Sequence, residues 1–263
     1  MADPFSLARR LVGTLVLAGL LCSSQVRADT AYVAIILDDM GHNEARGQRA
    51  LALPANVTYA FLPYAPFAAQ LAERAHLARR EVMVHMPMAN LSDQPIGPRG
   101  LVPELGRDDF LARVDEAMAR VPFASGINNH MGSYLTQQTR EMQWLMADLK
   151  RRNLFFVDSR TTPATVASRV ARSSLVSSSS RDIFLDNERN ADAIDSAFQL
   201  LIQRAKHKGT ALAIGHPHEE TISYLEVTLP LLRKQGIKVI PVSHLIALQR
   251  LQELQLANRV FAD

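Results

Sequence analysis

Two adjacent carboxylates, Asp38 and Asp39, close an apolar run of strand length, Val33-Ala34-Ile35-Ile36-Leu37. Side by side they repel, and ionising both costs energy unless a cation or a shared proton lies between them. A helix N-cap followed by a first-turn acid is the competing structural reading. Other polar residues recur at the ends of later apolar runs: His85, His130, Asp158 and His216. A lone histidine in such a place is more often a hydrogen-bonded structural group than a ligand. Together they say more, because parallel strands bring all their carboxyl ends to one rim. One carboxylate with two imidazoles suits zinc or a similar divalent ion and leaves a position open for water. Asp39, His85 and His130 can supply that set. Asp38 would then lie beside the ion without binding it, placed to take a proton from the water. His216, in Ala213-Ile214-Gly215-His216-Pro217-His218, comes from the opposite side of the rim as a candidate acid, and spacing does not choose between it and His218. Asp158 is a candidate to orient a histidine or bind substrate, and Arg160 to hold an oxyanion or an acidic group; a structural ion pair competes for both. His42 is near enough in sequence to reach the site. His76, His207 and His244 read as surface or packing residues, and Trp144, at helical spacing with Met142, Leu145 and Met146, as core rather than a sugar platform.

The elements that would position these residues follow from periodicity. Strands are expected over 32–37, 57–62, 81–85, 124–128, 154–157, 183–185, 210–214 and 238–240. Amphipathic stretches separate them. One starts at Asp108 or Asp109 and keeps Phe110, Leu111, Val114 and Met118 on one face; another carries Met142, Leu145, Met146 and Leu149. A third is opened by Asn190 and closed by Gly209, and a fourth, over 219–234, is interrupted by Pro230. The alternation predicts an α/β fold with parallel strands, in a barrel or an open doubly wound sheet, and seven or eight units in this length favour the barrel. Residues 89–107, with Pro95, Pro98 and Pro103 and no clear period, read as a substrate-facing loop leaving the same strand end as His85. The serine-rich stretch 173–181 reads as a flexible connection.

Composition narrows the class. Of 263 residues, 48% are apolar, enough for a sizeable core, and a net charge of +3 with scattered basic residues argues against nucleic acid as a partner. Arg9 and Arg10 precede an apolar stretch, residues 11–22, and a polar segment ending in Val26-Arg27-Ala28, the pattern of a secretory signal peptide. The apolar core is short for a transmembrane helix, and an uncleaved anchor is the alternative. Leu21 stands where a lipoprotein needs a small residue before its modified cysteine. Cys22 is the one cysteine in the chain. Cleavage after Ala28 would leave no thiol, which removes disulfides, zinc-thiolate sites and cysteine nucleophiles together, so any metal must be held by His, Asp and Glu. The expectation is a signal peptide over 1–28 and one exported, periplasmic domain over 29–263 with no membrane span after cleavage.

These residues resemble the divergent polysaccharide deacetylases, an exported bacterial branch of the carbohydrate esterases with the deformed β/α barrel called the NodB fold. The resemblance runs from about Tyr32 to Leu248. It rests on Ile36-Leu37-Asp38-Asp39-Met40-Gly41, Val84-His85-Met86-Pro87-Met88, Gly126-Ile127-Asn128-Asn129-His130-Met131-Gly132-Ser133, Phe156-Val157-Asp158-Ser159-Arg160-Thr161-Thr162 and Ile214-Gly215-His216-Pro217. It implies a deformed barrel of seven or eight parallel strands, a divalent cofactor such as zinc, and an envelope polysaccharide or peptidoglycan-type glycan as partner. In the wider family the first aspartate is the base and the second a metal ligand, roles that carry over onto Asp38 and Asp39, while the late histidine serving as general acid matches His216. Two departures stand out. The family's second metal histidine falls four residues after the first, where this chain has Ala89, leaving His130 as the substitute; and its arginine-and-proline motif after the fourth strand is replaced by Asn128-Asn129-His130. The implied activity is metal-assisted removal of an N-acetyl or O-acetyl group. Its rivals are a pseudoenzyme that binds glycan or protein, and a metal-dependent hydrolase of another bond such as a phosphoester.

Overall fold

The apolar run before the paired aspartates forms the centre of one sheet. In the computed structural model, which describes residues 30–260, the strands are β1 (Ala31–Met40), β2 (Thr58–Phe61), β3 (Val82–Met88), β4 (Ala124–Met131), β5 (Phe155–Asp158), β6 (Ser178–Ser180), β7 (Ile183–Phe184), β8 (Thr210–Gly215) and β9 (Ile237–Val239). The signal peptide expected over 1–28 lies outside the described residues. Eight strands run in the order β6-β5-β4-β3-β2-β1-β8-β7, β9 adds to β1, and every pairing is parallel. The sheet curls on itself. Its two edges, β6 and β7, are joined by only Arg181 and Asp182; Arg181 N donates to Asp158 O on β5, and Asp182 N donates to Leu212 O on β8, 3.0 and 2.8 Å away. Neighbouring residues can reach opposite edges only if those edges meet, and the result is the expected deformed α/β barrel.

Helices α1 (Glu44–Leu51), α2 (Ala68–Leu77), α3 (Arg107–Arg120), α4 (Thr139–Arg152), α5 (Ala167–Ser173), α6 (Ala191–Lys208) and α7 (Glu219–Leu232) follow the strands. The pleat of β1 shows how the core divides. Val33, Ile35 and Leu37 belong to the large cluster shared with helices such as α2 and α6, whereas Ala34 and Ile36 belong to a smaller inner cluster with Ala60, Met83, Val157, Leu212 and Ile214. Val242, Leu245 and Ile246 of α8 (Val242–Val260) complete that inner cluster. The start of α8 is held at the amino ends of the strands: Val242 N donates to Thr58 Oγ1 (3.2 Å), and Ser243 N to the Glu81 carboxylate (3.2 Å). One mouth of the barrel is thereby plugged, and the mouth at the carboxyl ends is left for chemistry.

Two sequence expectations change. The stretch expected to be a flexible connection contains the end of α5 and the strand β6; an all-serine strand has no apolar alternation to announce it, and its hydroxyls are spent on Gln249 (Ser179 Oγ, 2.9 Å) and Ser168 (Ser180 Oγ, 2.6 Å). Several strands also outrun their apolar stretches, so that Asp38, Asp39 and His130 lie within β1 and β4 rather than beyond the expected strands, and β3 runs on past His85 to Met88. Asn190 and Gly209 bound α6 as the residue types require: Asn190 Oδ1 accepts from Ala193 N at 2.9 Å, and Gly209 takes the left-handed φ of 81°. Trp144 packs edge-on to Phe110 against the core. Among the described residues no helix is long and apolar enough to cross a membrane.

Candidate active site

The strand pleat alone would aim only one of the paired aspartates into the barrel. Asp38 continues the inward phase of Ala34 and Ile36, so Asp39 should point out. It does not, because the pairing of β1 with β2 slips between Leu37 and Met40, and Asp39 adopts φ 53°. Such a bulge re-aims a side chain at the cost of an unfavourable backbone, about 1 kcal/mol or more for a residue other than glycine. Gly41 follows at φ 113°, where a Cβ would lie 2.8 Å from that of Ala65. The capping reading of the acid pair is excluded here: α1 is capped by Asn43, whose Oδ1 accepts from Arg46 N at 2.9 Å.

Parallel pairing of β3 with β4 sets His85 opposite Asn128 and Pro87 opposite His130, so both histidines share the inward phase. Their rings meet Asp39 at one point. His85 Nε2 and His130 Nδ1 lie 3.3 and 3.0 Å from Asp39 Oδ1 and 3.1 Å from each other. Among the described residues the buried Asp39 Oδ1 accepts no well-formed hydrogen bond, while the two ring nitrogens that face it are within hydrogen-bond distance of each other, so a buried acceptor is left over where three donor atoms converge. A tetrahedral zinc ion with bonds of about 2.0–2.1 Å separates its ligand atoms by about 3.3 Å, which the three edges of this triangle approach. The donor set therefore fits a divalent ion. Burial alone would raise the Asp39 carboxyl, but the neighbouring His130 and His85 hold it well below the ordinary carboxylate range.

Asp38 stands beside this triangle, only 2% exposed. Burial pushes its carboxyl above the ordinary range against the opposing influence of His85, His216 and Asn128. Its Oδ1 accepts from Asn128 Nδ2 at 2.7 Å, while His85 Nδ1 is 3.6 Å from its Oδ2. His216 comes from the end of β8. Its Nδ1 lies 2.9 Å from Asp186 Oδ1, and Asp186 Oδ2 accepts from His216 N and from Thr221 Oγ1 (2.6 and 2.8 Å). Burial opposes protonation of His216, yet the Asp186 bond and the charges of Asp186, Asp38 and Asp39 push its pKa up to about 9. Among the described residues neighbouring His218 has no such hydrogen-bond partner, and burial together with Arg189 lowers its pKa. Phe184 stacks on the His216 ring at 6.3 Å.

The remaining expected residues lie differently. Asp158 shares the outward phase of Phe156 and accepts from Arg160 N, Thr165 Oγ1 and Ser168 Oγ at 2.9, 3.0 and 2.9 Å. It ties down the loop into α5 and orients no histidine; Asp186 does that work. Arg160 is exposed and its side chain forms no ion pair or hydrogen bond among the described residues, although its carbonyl accepts from Arg181 Nη2 at 2.8 Å. His42 is exposed on the turn before α1. Two residues of the site were not anticipated, Asn128 and Asp186. Both had a visible signal, since each falls at the end of an expected strand, but an asparagine neither ionises nor commonly binds metal, and Asp186 closes a very short run. The loop over 89–107 does lie along the rim by His130: Ala89 O accepts from Tyr134 N and Leu135 N (3.1 and 3.0 Å), and Leu91 N donates to Ser133 Oγ (3.0 Å).

The family described as divergent polysaccharide deacetylase matches residues 35–246. The chain belongs to this family. Among curated relatives it is 40% identical over 194 residues to the uncharacterized protein YibQ of Escherichia coli K12, an alignment covering 74% of this chain and 61% of the relative. The chain thus spans less than two thirds of that protein's length. Among solved structures, an uncharacterized protein from Agrobacterium tumefaciens C58 superposes with a TM-score of 0.79 at 21% identity, covering 82% of this chain and 89% of that one. The peptidoglycan deacetylase PdaC of Bacillus subtilis gives 0.54 at 12% identity, covering 89% and 98%. A CE4 family pseudoenzyme from Bacillus anthracis gives 0.52 at 14%, covering 83% and 66%. At these identities the structural likenesses establish a shared fold.

Proposed function

We propose that the chain is an exported, metal-dependent hydrolase that removes acetyl groups from an envelope glycan of the peptidoglycan type, acting in the periplasm as one domain over 29–263 once residues 1–28 have been removed. The observation that carries the reading is the convergence of Asp39 Oδ1, His85 Nε2 and His130 Nδ1 on one point, with Asp38 on one side and the Asp186–His216 pair nearby. Asp39, His85 and His130 would hold the ion, and zinc suits their oxygen and nitrogen donors. When bound, such an ion supplies Lewis-acid polarisation of the acyl oxygen and acidification of water. The protein's own groups supply the proton traffic. Asp38, raised by burial, accepts a proton from the attacking water. His216 starts as an imidazolium at neutral pH, holds Asp186 through Nδ1, and so keeps Nε2–H to donate to the departing amine. The acid and base are thereby set apart by their surroundings, one carboxylate free to take a proton and one imidazole kept charged.

The binding of glycan without turnover is a second reading, favoured by Ala89 where the wider family has a metal histidine and by the pseudoenzyme among the structures that share the fold. Elemental analysis of the purified protein, followed by measurement of acetate released from a panel of acetylated glycans, separates the two. Bound zinc and released acetate support the hydrolase; a protein that takes up no divalent ion and releases no acetate overturns it.

A further inference from the structure

We propose that Asn128 is a positioning residue whose single amide orients the base Asp38 and at the same time fixes which ring nitrogen of His85 faces the metal. The inference rests on the metal-dependent reading above. Asn128 is wholly buried, on β4, directly opposite His85 on β3. Its Nδ2 donates to Asp38 Oδ1 at 2.7 Å, and its Oδ1 stands 2.8 Å from His85 Nδ1. Asp38 and His85 are too far apart for a good hydrogen bond, at 3.6 Å, so the amide is the bridge between them.

The chemistry of the two ends dictates the orientation. An amide oxygen only accepts and a carboxylate only accepts, so turning the amide round would oppose two acceptors at Asp38. With the oxygen facing His85, Nδ1 of that ring must carry a proton. The lone pair of the neutral ring then lies on Nε2, the nitrogen 3.3 Å from Asp39 Oδ1 and 3.1 Å from His130 Nδ1. A histidine free to choose its tautomer would spend part of its population with Nε2–H pointed at the ion. A neutral amide offers here what a cationic side chain cannot: a donor for the base and an acceptor for the ligand ring.

The test uses the full exported chain, with zinc as the probe. Ring 15N shifts of His85, assigned against a His85→Gln variant, read the tautomer of the neutral ring in chelator-treated protein, and zinc affinity is measured by competition with a chromophoric chelator. The neutral His85 ring should carry its proton on Nδ1. Asn128→Leu, which removes both ends of the bridge, should abolish that signature and weaken zinc about 10- to 100-fold. Asn128→Asp, which keeps an acceptor for His85 but replaces the amide donor to Asp38 with a carboxyl that must share a proton with it, should hold zinc within a few-fold of the parent. A neutral parent ring with its proton on Nε2, or a folded Asn128→Leu protein with unchanged ring signature and zinc affinity, overturns the inference. If Asn128→Leu does not fold, the parent ring signature and the Asn128→Asp affinity decide. A parent that binds no zinc sinks the metal-dependent reading, while the ring measurement still decides the role of Asn128.

Discussion

Replacing Asp186 by Asn tests the charge state assigned to His216 without knowledge of the substrate. Asp186 Oδ2 receives two donors, His216 N and Thr221 Oγ1, so the oxygen of the new amide must stay with them. Its NH2 group then faces His216 Nδ1, which can meet it only as a lone pair, and the imidazolium loses its partner. The pKa should fall from about 9 to the ordinary histidine value of 6.5 or below. A fall of that size corresponds to about 3 kcal/mol of lost preference for the charged ring. At pH 8 the parent ring is then roughly nine-tenths protonated and the variant ring roughly 3%, a loss of about 30-fold in the acid form that shrinks to less than about twofold at pH 6. Histidine Cε1–H shifts followed by NMR read the pKa directly, and the pH dependence of kcat/KM on any acetylated glycan that is turned over reads its consequence. The stability linkage has a definite sign. A pKa raised on folding stabilises fully below the unfolded value near 6.5 and is lost as pH rises through about 9, so the variant should be more destabilised at pH 6 than at pH 10. A His216 pKa in the variant within about 0.5 of the parent would refute the ion-pair account.

Four further outcomes follow from the geometry. Asp38→Asn should lower turnover by about 10²–10⁴-fold with zinc content nearly unchanged, checked by acetate release and elemental analysis; retained turnover would remove Asp38 as the base. Zinc at about 100 times its Kd should stabilise the parent by about 3 kcal/mol in a thermal melt, and His85→Ala should abolish the response. Glu81→Ala should cost about 1–3 kcal/mol in denaturant unfolding, because the carboxylate accepts from Thr58 Oγ1 and Ser243 N at the start of α8. Gly41→Ala should cost about 1–3 kcal/mol by the same measure, since the new Cβ meets Ala65 and Ala68 at a backbone of φ 113°.

Apolar periodicity carried most of the architecture. The expected strands over 32–37 and 210–214 are found as β1 and β8, in register with one another, because runs buried on both faces have little alternative to a central position. Periodicity failed where burial is not what holds the element. β6 is three serines, positioned by backbone pairing to β5 and by hydroxyl bonds, and hydropathy contains no trace of either. The site divides in the same way. Ionisable residues at strand ends were legible because their desolvation demands a partner, whereas Asn128, equally at the end of an expected strand, carries no charge to mark it out. Asp158 misled for a physical reason: at a strand end, one residue decides between the barrel interior and its outside, and the sequence 155–158 does not say which of Phe156 and Val157 faces in. The bulge at Asp39 was equally invisible, since it consists in a backbone twist that the residue type permits but does not require.

The absence of a second histidine on the loop after β3 does not leave the site short of a donor. Pro87 is the second residue after His85, and β4 places His130 directly beside Pro87, on the same inward phase. Under the metal-dependent reading the next strand would supply the second imidazole, from the same inward side. The exchange changes the kind of support. Ala89 begins the proline-rich rim loop, whereas His130 is inside a hydrogen-bonded ladder that extends to Met131, and its Nδ1 rather than Nε2 is turned toward Asp39. A ligand that must serve from a strand, close to its own backbone, requires the carboxylate to come further in, and the left-handed turn at Asp39 with the register slip beside it supplies that displacement. The bulge in β1 and the histidine in β4 are therefore one arrangement: restoring regular pairing at Leu37–Met40 would turn Asp39 away from His130 and undo the triangle, even with every donor residue still present.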